Sequence, residues 1–172
     1  HKNLRIFKGR PLFLNTLLLA KKCKIIDEII VSSENKKILL KLKDKKNILF
    51  RLRPEKLASD KAKASEVILD VLKNIQKSYD YFIYLQPTSP LRNVFDIECS
   101  FRKVIGKNKK SLISVAEKSS APNGAIYISK IDEYVKTKSF LNDFFSNYKM
   151  PKNRSIDIDH IKDFEKARRV NL

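Results

Sequence analysis

Glycine, cysteine and histidine are scarce, at three, two and two residues of 172. The glycines form no GxxxxGK[ST] loop, so a P-loop is excluded. No GxSxG turn is present to expose a hydrolase serine. Cys23 and Cys99 stand far apart without a CxxC spacing. They build neither a disulfide framework nor, with His1 and His160, a zinc cluster. Both read as reduced thiols, buried or half-buried, in a cytosolic protein. Long apolar runs are missing too. "LFLNTLLLA" is interrupted by Asn15 and Thr16 and is too short to span a bilayer. The residues show no signal-peptide pattern, so a cytoplasmic protein without membrane contact is expected.

What is present is a core and a charge. Hydrophobic residues make up 42% of the chain, enough for one domain with a real interior. The net charge is +18, which points to a polyanionic partner such as nucleic acid, anionic lipid or a phosphorylated small molecule. Lysines are dispersed, as in "KLKDKK" and "GKNKK", and form no dense basic arm. An arginine-rich recognition helix and an aromatic stacking platform are both lacking. A nucleic-acid-binding domain therefore rests on charge alone, and no nucleic-acid partner is expected.

Strand and helix signals alternate. Residues 11–23, "PLFLNTLLLAKKC", predict a buried helix after Pro11. "EIIVSS" (28–33) predicts a strand, 35–44 a short amphipathic helix and "NILFRL" (47–52) a second strand. Residues 59–76 predict a helix capped by Ser59 or Asp60, with Ala64, Val67, Ile68, Val71, Leu72 and Ile75 on one face. "YFIYLQ" (81–86) is an aromatic-rich strand leading into the proline-stiffened loop "PTSPLR". A helix over 93–105 has Asn93 as its cap. "SLISVA" (111–116) is a strand, "NGAIYIS" (123–129) is a strand opened by an Asn-Gly turn, and "SIDID" is a short strand before a closing helix. Such alternation predicts an α/β fold, a mostly parallel sheet with helices on both faces. The link between 116 and 123 holds no helix for a parallel crossover. Either those two strands are antiparallel or a segment is missing there.

The chemistry concentrates in "RSIDIDHIKDF" (154–164). Side chains two apart on a strand share a face, so Asp157 and Asp159 point one way and Ile156 and Ile158 the other. Neighbouring carboxylates repel unless a cation or proton lies between them. Magnesium suits such a pair, because it accepts a few carboxylates together with substrate phosphates. The plainer reading makes one aspartate, Asp159 above all, the cap of the helix that starts near His160. Both readings stand. "LQPTSPLR" gathers Gln86, Thr88, Ser89 and Arg92 at a strand end, either to read a hydroxylated ligand or simply as a turn. Arg53, before a proline, is either a phosphate ligand or a surface arginine. Lys2 and Asn3 add a weak hint of phosphate contact.

Five segments, "KN", "RPEKLASD", "YLQPTSPLR", "PNGAIYI" and "RSIDIDHIKDF", stand in the order and approximate spacing of the acylneuraminate cytidylyltransferases, or CMP-sialic acid synthetases. The chain resembles that family over nearly its whole length. The resemblance implies a Rossmann-like nucleotidyltransferase fold and a magnesium-dependent enzyme acting as a cytoplasmic homodimer. It would transfer CMP from CTP to the anomeric hydroxyl of a nonulosonic acid, releasing pyrophosphate. By position it assigns Lys2, Asn3 and Arg53 to the nucleotide, with Arg53 also catalytic. Gln86, Thr88, Ser89, Tyr127 and Phe140 would contact the sugar acid, and Asp157 and Asp159 would hold Mg2+ and serve catalysis.

Departures from the family pattern accompany the match. The glycine-rich loop before "KN" and its strand are absent, as is a dimerisation segment after Lys118. Ala121 stands where an arginine is common, and Ala64 where a serine is common. The expectation is one cytidylyltransferase domain over 1–172 from which those segments are missing. A CMP-Kdo synthetase is the nearest alternative enzyme, and a catalytically incompetent relative is a further reading.

Overall fold

Apolar runs of strand length separated by amphipathic stretches produce the alternation expected, and they close into two compact units. A computed structural model describes residues 2–40, 42, 48–59 and 62–171. The first unit comprises His1–Ile25 with Tyr81–Leu172, and the second Ile26–Asp80.

In the first unit a small antiparallel hairpin, β1 (Ile6–Phe7) and β2 (Arg10–Pro11), precedes α1 (Leu12–Lys22). Its turn uses positive φ at Lys8 and Gly9. The main sheet contains β5 (Tyr81–Tyr84), β6 (Ser111–Ala116), β7 (Pro122–Lys130) and β8 (Phe145–Met150), in the order β5-β7-β6-β8. This sheet is mixed, not mostly parallel. β7 runs against both β5 and β6, while β6 and β8 are parallel. The physical reason is the short helix-free link between β6 and β7, which permits a reversal but no crossover.

Helices do cover both faces of this sheet. Tyr81 meets Phe101 of α4 (Val94–Gly106) edge-on, and Phe82 meets Tyr134 of α5 (Ile131–Thr137). Adjacent strand residues point to opposite faces, so α4 and α5 lie on opposite sides. Asn93 caps α4 as expected. Its side chain accepts from Asp96 N while Asp96 Oδ2 accepts from Asn93 N, a reciprocal box. The closing helix α6 spans Ile161–Arg168.

The second unit is built on the parallel pair β3 (Ile29–Ser33) and β4 (Ile48–Leu52), with α2 (Lys36–Leu40) and α3 (Ala64–Leu72). α3 is shorter than the expected 59–76, and Lys63 occupies its cap position. Ser59 therefore does not cap it, and Asp60 lies outside the described residues. A two-pronged ion pair ties β4 to α3, Arg51 Nε to Asp70 Oδ2 and Nη2 to Oδ1, each at 2.8 Å.

Two expectations fail locally. "SIDID" joins no sheet: residues 155–158 carry no regular secondary structure, and Ser155 has φ -102° and ψ 24°, outside the strand region. The Asn-Gly pair opens no turn either. Asn123 and Gly124 lie inside β7 at a bulge, where β6 advances from Ile113 to Val115 while β7 runs from Tyr127 back to Pro122. Buried polar side chains hold that bulge. Ser114 Oγ accepts from Ile126 N at 2.7 Å and lies 2.6 Å from Asn123 Oδ1.

Candidate active site

The irregular segment 155–159 is anchored on one side by its isoleucines. Ile158 is buried in a cluster with Phe7, Leu12, Leu91 and Ala167, and Ile156 packs against it. Each buried aliphatic side chain contributes about 1.5–3 kcal/mol. One backbone hydrogen bond, Ile158 N to Thr88 O at 2.8 Å, joins the segment to the loop after β5. The two isoleucines thus lie on one side, as the alternation predicts, although the segment's partner is a loop and not a strand.

Asp157 lies against the bulge of β7. Its Oδ1 accepts from Ser89 Oγ at 3.3 Å, and that hydroxyl also faces Asn123 O at 3.3 Å. Asp157 Oδ2 approaches Gly124 so closely that a Cβ there would sit 2.5 Å away. Gly124 has φ +74°, a conformation that favours glycine in any case. Asp159 is different. Its side chain is 68% exposed, and its one described ion pair is with Lys2 at 3.4 Å. It does not cap α6. Asp163 Oδ2 instead accepts from the backbone N of His160 at 2.8 Å and of Asp159 at 3.3 Å. Those two bonds, the His160 one foremost, hold the Asp163 carboxyl below its ordinary value.

The loop between β5 and α4 is organised from inside. Arg92 is only 2% exposed. Its Nη1 donates to the carbonyls of Gln86 and Ser89, and Nη2 to Thr16 Oγ1, all at 2.8 Å. Its Nε has no partner among the described residues. Burial pushes this guanidinium down to about 9, while Asp157 foremost, then Cys23 and Asp96, oppose the shift. Arg92 is therefore internal scaffolding and not a group that meets a ligand. The hydroxyl of Ser89 is likewise fully buried.

Tyr127, on β7, belongs to an aromatic wall. Its ring lies 5.9 Å from Tyr84 and 5.1 Å from Phe140, and Phe140 stacks on Tyr84 at 6.5 Å and 14°. Tyr84 and Tyr127 are direct cross-strand partners, which is why their rings meet. Burial, then the negative Asp157, push the Tyr127 hydroxyl above the ordinary phenol value, against a backbone hydrogen bond from Gly124. Tyr127 is thus a protonated donor beside a carboxylate.

The first unit therefore brings Gln86, Thr88, Ser89, Tyr127, Phe140, Asp157, Asp159 and Lys2 into connected surroundings. Lys2 and Asn3 share a single 3-10 turn, Lys2–Leu4. Arg53 belongs to the second unit. There its Nη2 donates to Ser32 O at 3.1 Å and its Nη1 pairs with Glu34 at 3.5 Å. Sequence reasoning missed Asn123 and Gly124 as parts of the carboxylate's setting. The signal available was an Asn-Gly pair inside an otherwise apolar strand run.

The family model described as cytidylyltransferase matches residues 1–170. The chain belongs to this family. Relatives of this cytidylyltransferase chain include an N-acylneuraminate cytidylyltransferase of Escherichia coli O18:K1:H7, 30% identical over 201 aligned positions that cover 97% of this chain and 47% of the relative. A CMP-N,N'-diacetyllegionaminic acid synthase of Legionella pneumophila is 31% identical, with 81% of this chain and 61% of the relative covered. The chain thus spans about half to three-fifths of the length of these relatives. The 201 aligned positions also outnumber the 172 residues, so the E. coli protein carries stretches without a counterpart here. Among solved structures, a CMP:2-keto-3-deoxy-manno-octonic acid synthetase complexed with CTP superimposes with a TM-score of 0.74 at 11% identity, covering 97% of this chain and 90% of that one. The fold of this cytidylyltransferase chain is accordingly the nucleotidyltransferase fold.

Proposed function

We propose that the protein transfers CMP from CTP to the anomeric hydroxyl of a nonulosonic acid, as a magnesium-dependent cytoplasmic enzyme that works as a dimer. One observation carries the reading. A carboxylate, Asp157, is held between a buried hydroxyl and a glycine, beside an aromatic wall with a phenol donor, in a chain of the cytidylyltransferase family. The names of the relatives, which act on neuraminate- and legionaminate-type acids, supply the substrate class.

The donor set fits magnesium. Asp157 and Asp159 flank the buried Ile158 on one short irregular segment, and Asp159 is largely exposed. Among the described residues, no group of three or more His, Cys, Asp or Glu could hold a metal ion. A cation on this pair would complete its shell with water and nucleotide oxygens, as magnesium commonly does. When bound, it would supply charge neutralisation for the phosphates.

The protein's own residues do the rest. The sugar's anomeric oxygen attacks the α-phosphorus of CTP. The new P–O bond forms as the bond to the bridging oxygen of pyrophosphate breaks, and the hydroxyl proton passes to an aspartate of the pair. Such a transfer depends on alignment and on stabilised charge more than on covalent chemistry by the enzyme. Tyr127, Phe140 and Tyr84 present apolar faces to the sugar, with the Tyr127 hydroxyl as donor. Gln86 and Thr88 offer amide and hydroxyl contacts to it. Lys2 and Asn3 serve the nucleotide. The assignment of Arg53 to the cytidine phosphates rests on its motif.

The test measures pyrophosphate release from CTP with N-acetylneuraminate, legionaminate, pseudaminate and Kdo, with magnesium and with EDTA. Release with a nine-carbon acid, abolished by EDTA, is expected, and Gln86→Ala should raise the KM for the sugar. No release with any of the four acids, together with a salt-sensitive gel shift on nucleic acid, would overturn the proposal.

A further inference from the structure

Ser89 sits in the motif whose hydroxyls the resemblance assigns to the sugar, yet none of its surface is exposed. Each of its polar atoms is already engaged. Its N–H donates to Gln86 O at 3.3 Å, its carbonyl accepts from Arg92, and its hydroxyl faces Asp157 Oδ1 and Asn123 O. On the other side of the same carboxylate, Gly124 leaves no room for a Cβ. The added atom would lie 2.5 Å from Asp157 Oδ2, 2.9 Å from Ser89 Oγ and 3.0 Å from Asp157 Cγ.

We infer that Ser89 and Gly124 are positioning residues that fix the orientation of the Asp157 carboxylate, and that Ser89 does not touch the sugar. Ser89 holds one oxygen from a fixed, buried position, its single hydroxyl proton shared between Asp157 Oδ1 and Asn123 O, each at 3.3 Å. Gly124 lets the second oxygen pack flush against the backbone of the β7 bulge. That bulge exists because Asn123 and Ser114 satisfy the backbone groups it frees. The carboxylate is thereby fixed about its last torsion, which is otherwise broad and two-fold. Groups that orient a metal-binding carboxylate typically change metal affinity roughly 10–100-fold when removed. The inference rests on reading Asp157 as a cation ligand, and the experiment separates the two.

Mn2+ binding to the protein, followed by the electron-spin signal of the free ion without nucleotide or sugar, is compared for wild type, Asp157→Asn and Ser89→Ala. Both variants should bind roughly 10-fold more weakly or worse, while Ser89→Ala keeps the wild-type KM for the sugar acid. Wild-type Mn2+ affinity with a raised sugar KM in Ser89→Ala would overturn the inference and return Ser89 to the sugar. If Asp157→Asn binds Mn2+ like wild type, the cation reading fails, and melting temperatures then decide the positioning by themselves. Gly124→Ala should lower the melting temperature, and adding Asp157→Ala should restore part of the loss, because the clashing carboxylate is gone. Ser89→Ala and Asp157→Ala should likewise be non-additive. Strictly additive shifts in both pairs would show that neither residue acts through Asp157.

Discussion

Arg154 closes on Asp96 with a parallel pair of hydrogen bonds, Nε to Oδ2 at 3.0 Å and Nη2 to Oδ1 at 2.8 Å. Asp96 is fully buried and also completes the cap of α4. The pair fastens the start of the 155–159 segment to the helix behind the sheet. Removing one partner of a buried pair leaves an uncompensated charge, at about 3–5 kcal/mol. Arg154→Ala should therefore lower stability by roughly 3 kcal/mol, read as a shifted urea midpoint with little change in slope. A loss within about 0.5 kcal/mol, the usual range for a surface substitution, would refute the role.

Arg92 holds three acceptors that lysine cannot reach together, because its guanidinium fork is planar and has five donors. Arg92→Lys keeps the charge but strips the guanidinium's bonds from the Gln86 and Ser89 carbonyls, leaving Gln86 O with only the Ser89 N–H, and a buried acceptor left unpaired costs about 1–3 kcal/mol. We expect a destabilised protein whose apparent sugar and metal affinities both weaken, since Gln86, Ser89 and, through Ser89, Asp157 depend on this loop. Circular dichroism melts beside the pyrophosphate assay will check it. An unaltered melt would count against the clamp.

The Lys2–Asp159 pair is exposed, so its stability contribution should be below about 1 kcal/mol. Asp159→Ala should melt within a few degrees of wild type and yet lose metal-dependent turnover. Asp157→Ala should lose turnover as well. Full activity in either variant would remove that aspartate from the chemistry.

Tyr134 is buried against Phe82 and Phe140. Burial first, and Tyr84 second, push its hydroxyl above the ordinary phenol value, up to about 12. The folded state therefore disfavours the phenolate. This contribution is fully present below the unfolded value and is lost as pH rises through the folded one. Stability should decline between about pH 10 and 12, and Tyr134→Phe should flatten the decline. Denaturation followed at a series of alkaline pH values measures it, and identical slopes in the two proteins would sink the claim.

The sequence was most legible where structure is local. The Asn93 cap, the run 111–116 and the helix after Pro11 depend on neighbours a few residues away, and each appears with nearly the expected bounds. The hairpin around Gly9, the seven-residue α5 and β8 went unread. Their signals are short, and β8 exists only because β6 lies beside it. "SIDID" shows the converse. Ile158 is buried and Ile156 packs against the same cluster, but a strand needs a partner edge, and the segment meets the carbonyl of Thr88 instead. Asp159 looked like a helix cap from its place next to His160, whereas the capping role fell to Asp163, whose spacing closes the box.

By itself the sequence determined the α/β alternation, the common side of Ile156 and Ile158 and, through five ordered motifs, the kinship to cytidylyltransferases. Those properties follow from period, spacing and residue type along the chain. Only the tertiary structure decided that β7 runs against its neighbours, that Ser89 and Arg92 face inward, and that Gly124 and Ser89 enclose Asp157. Which buried group meets which depends on where distant segments pack, and a serine and an aspartate 68 positions apart carry no mark of their meeting until the chain has folded.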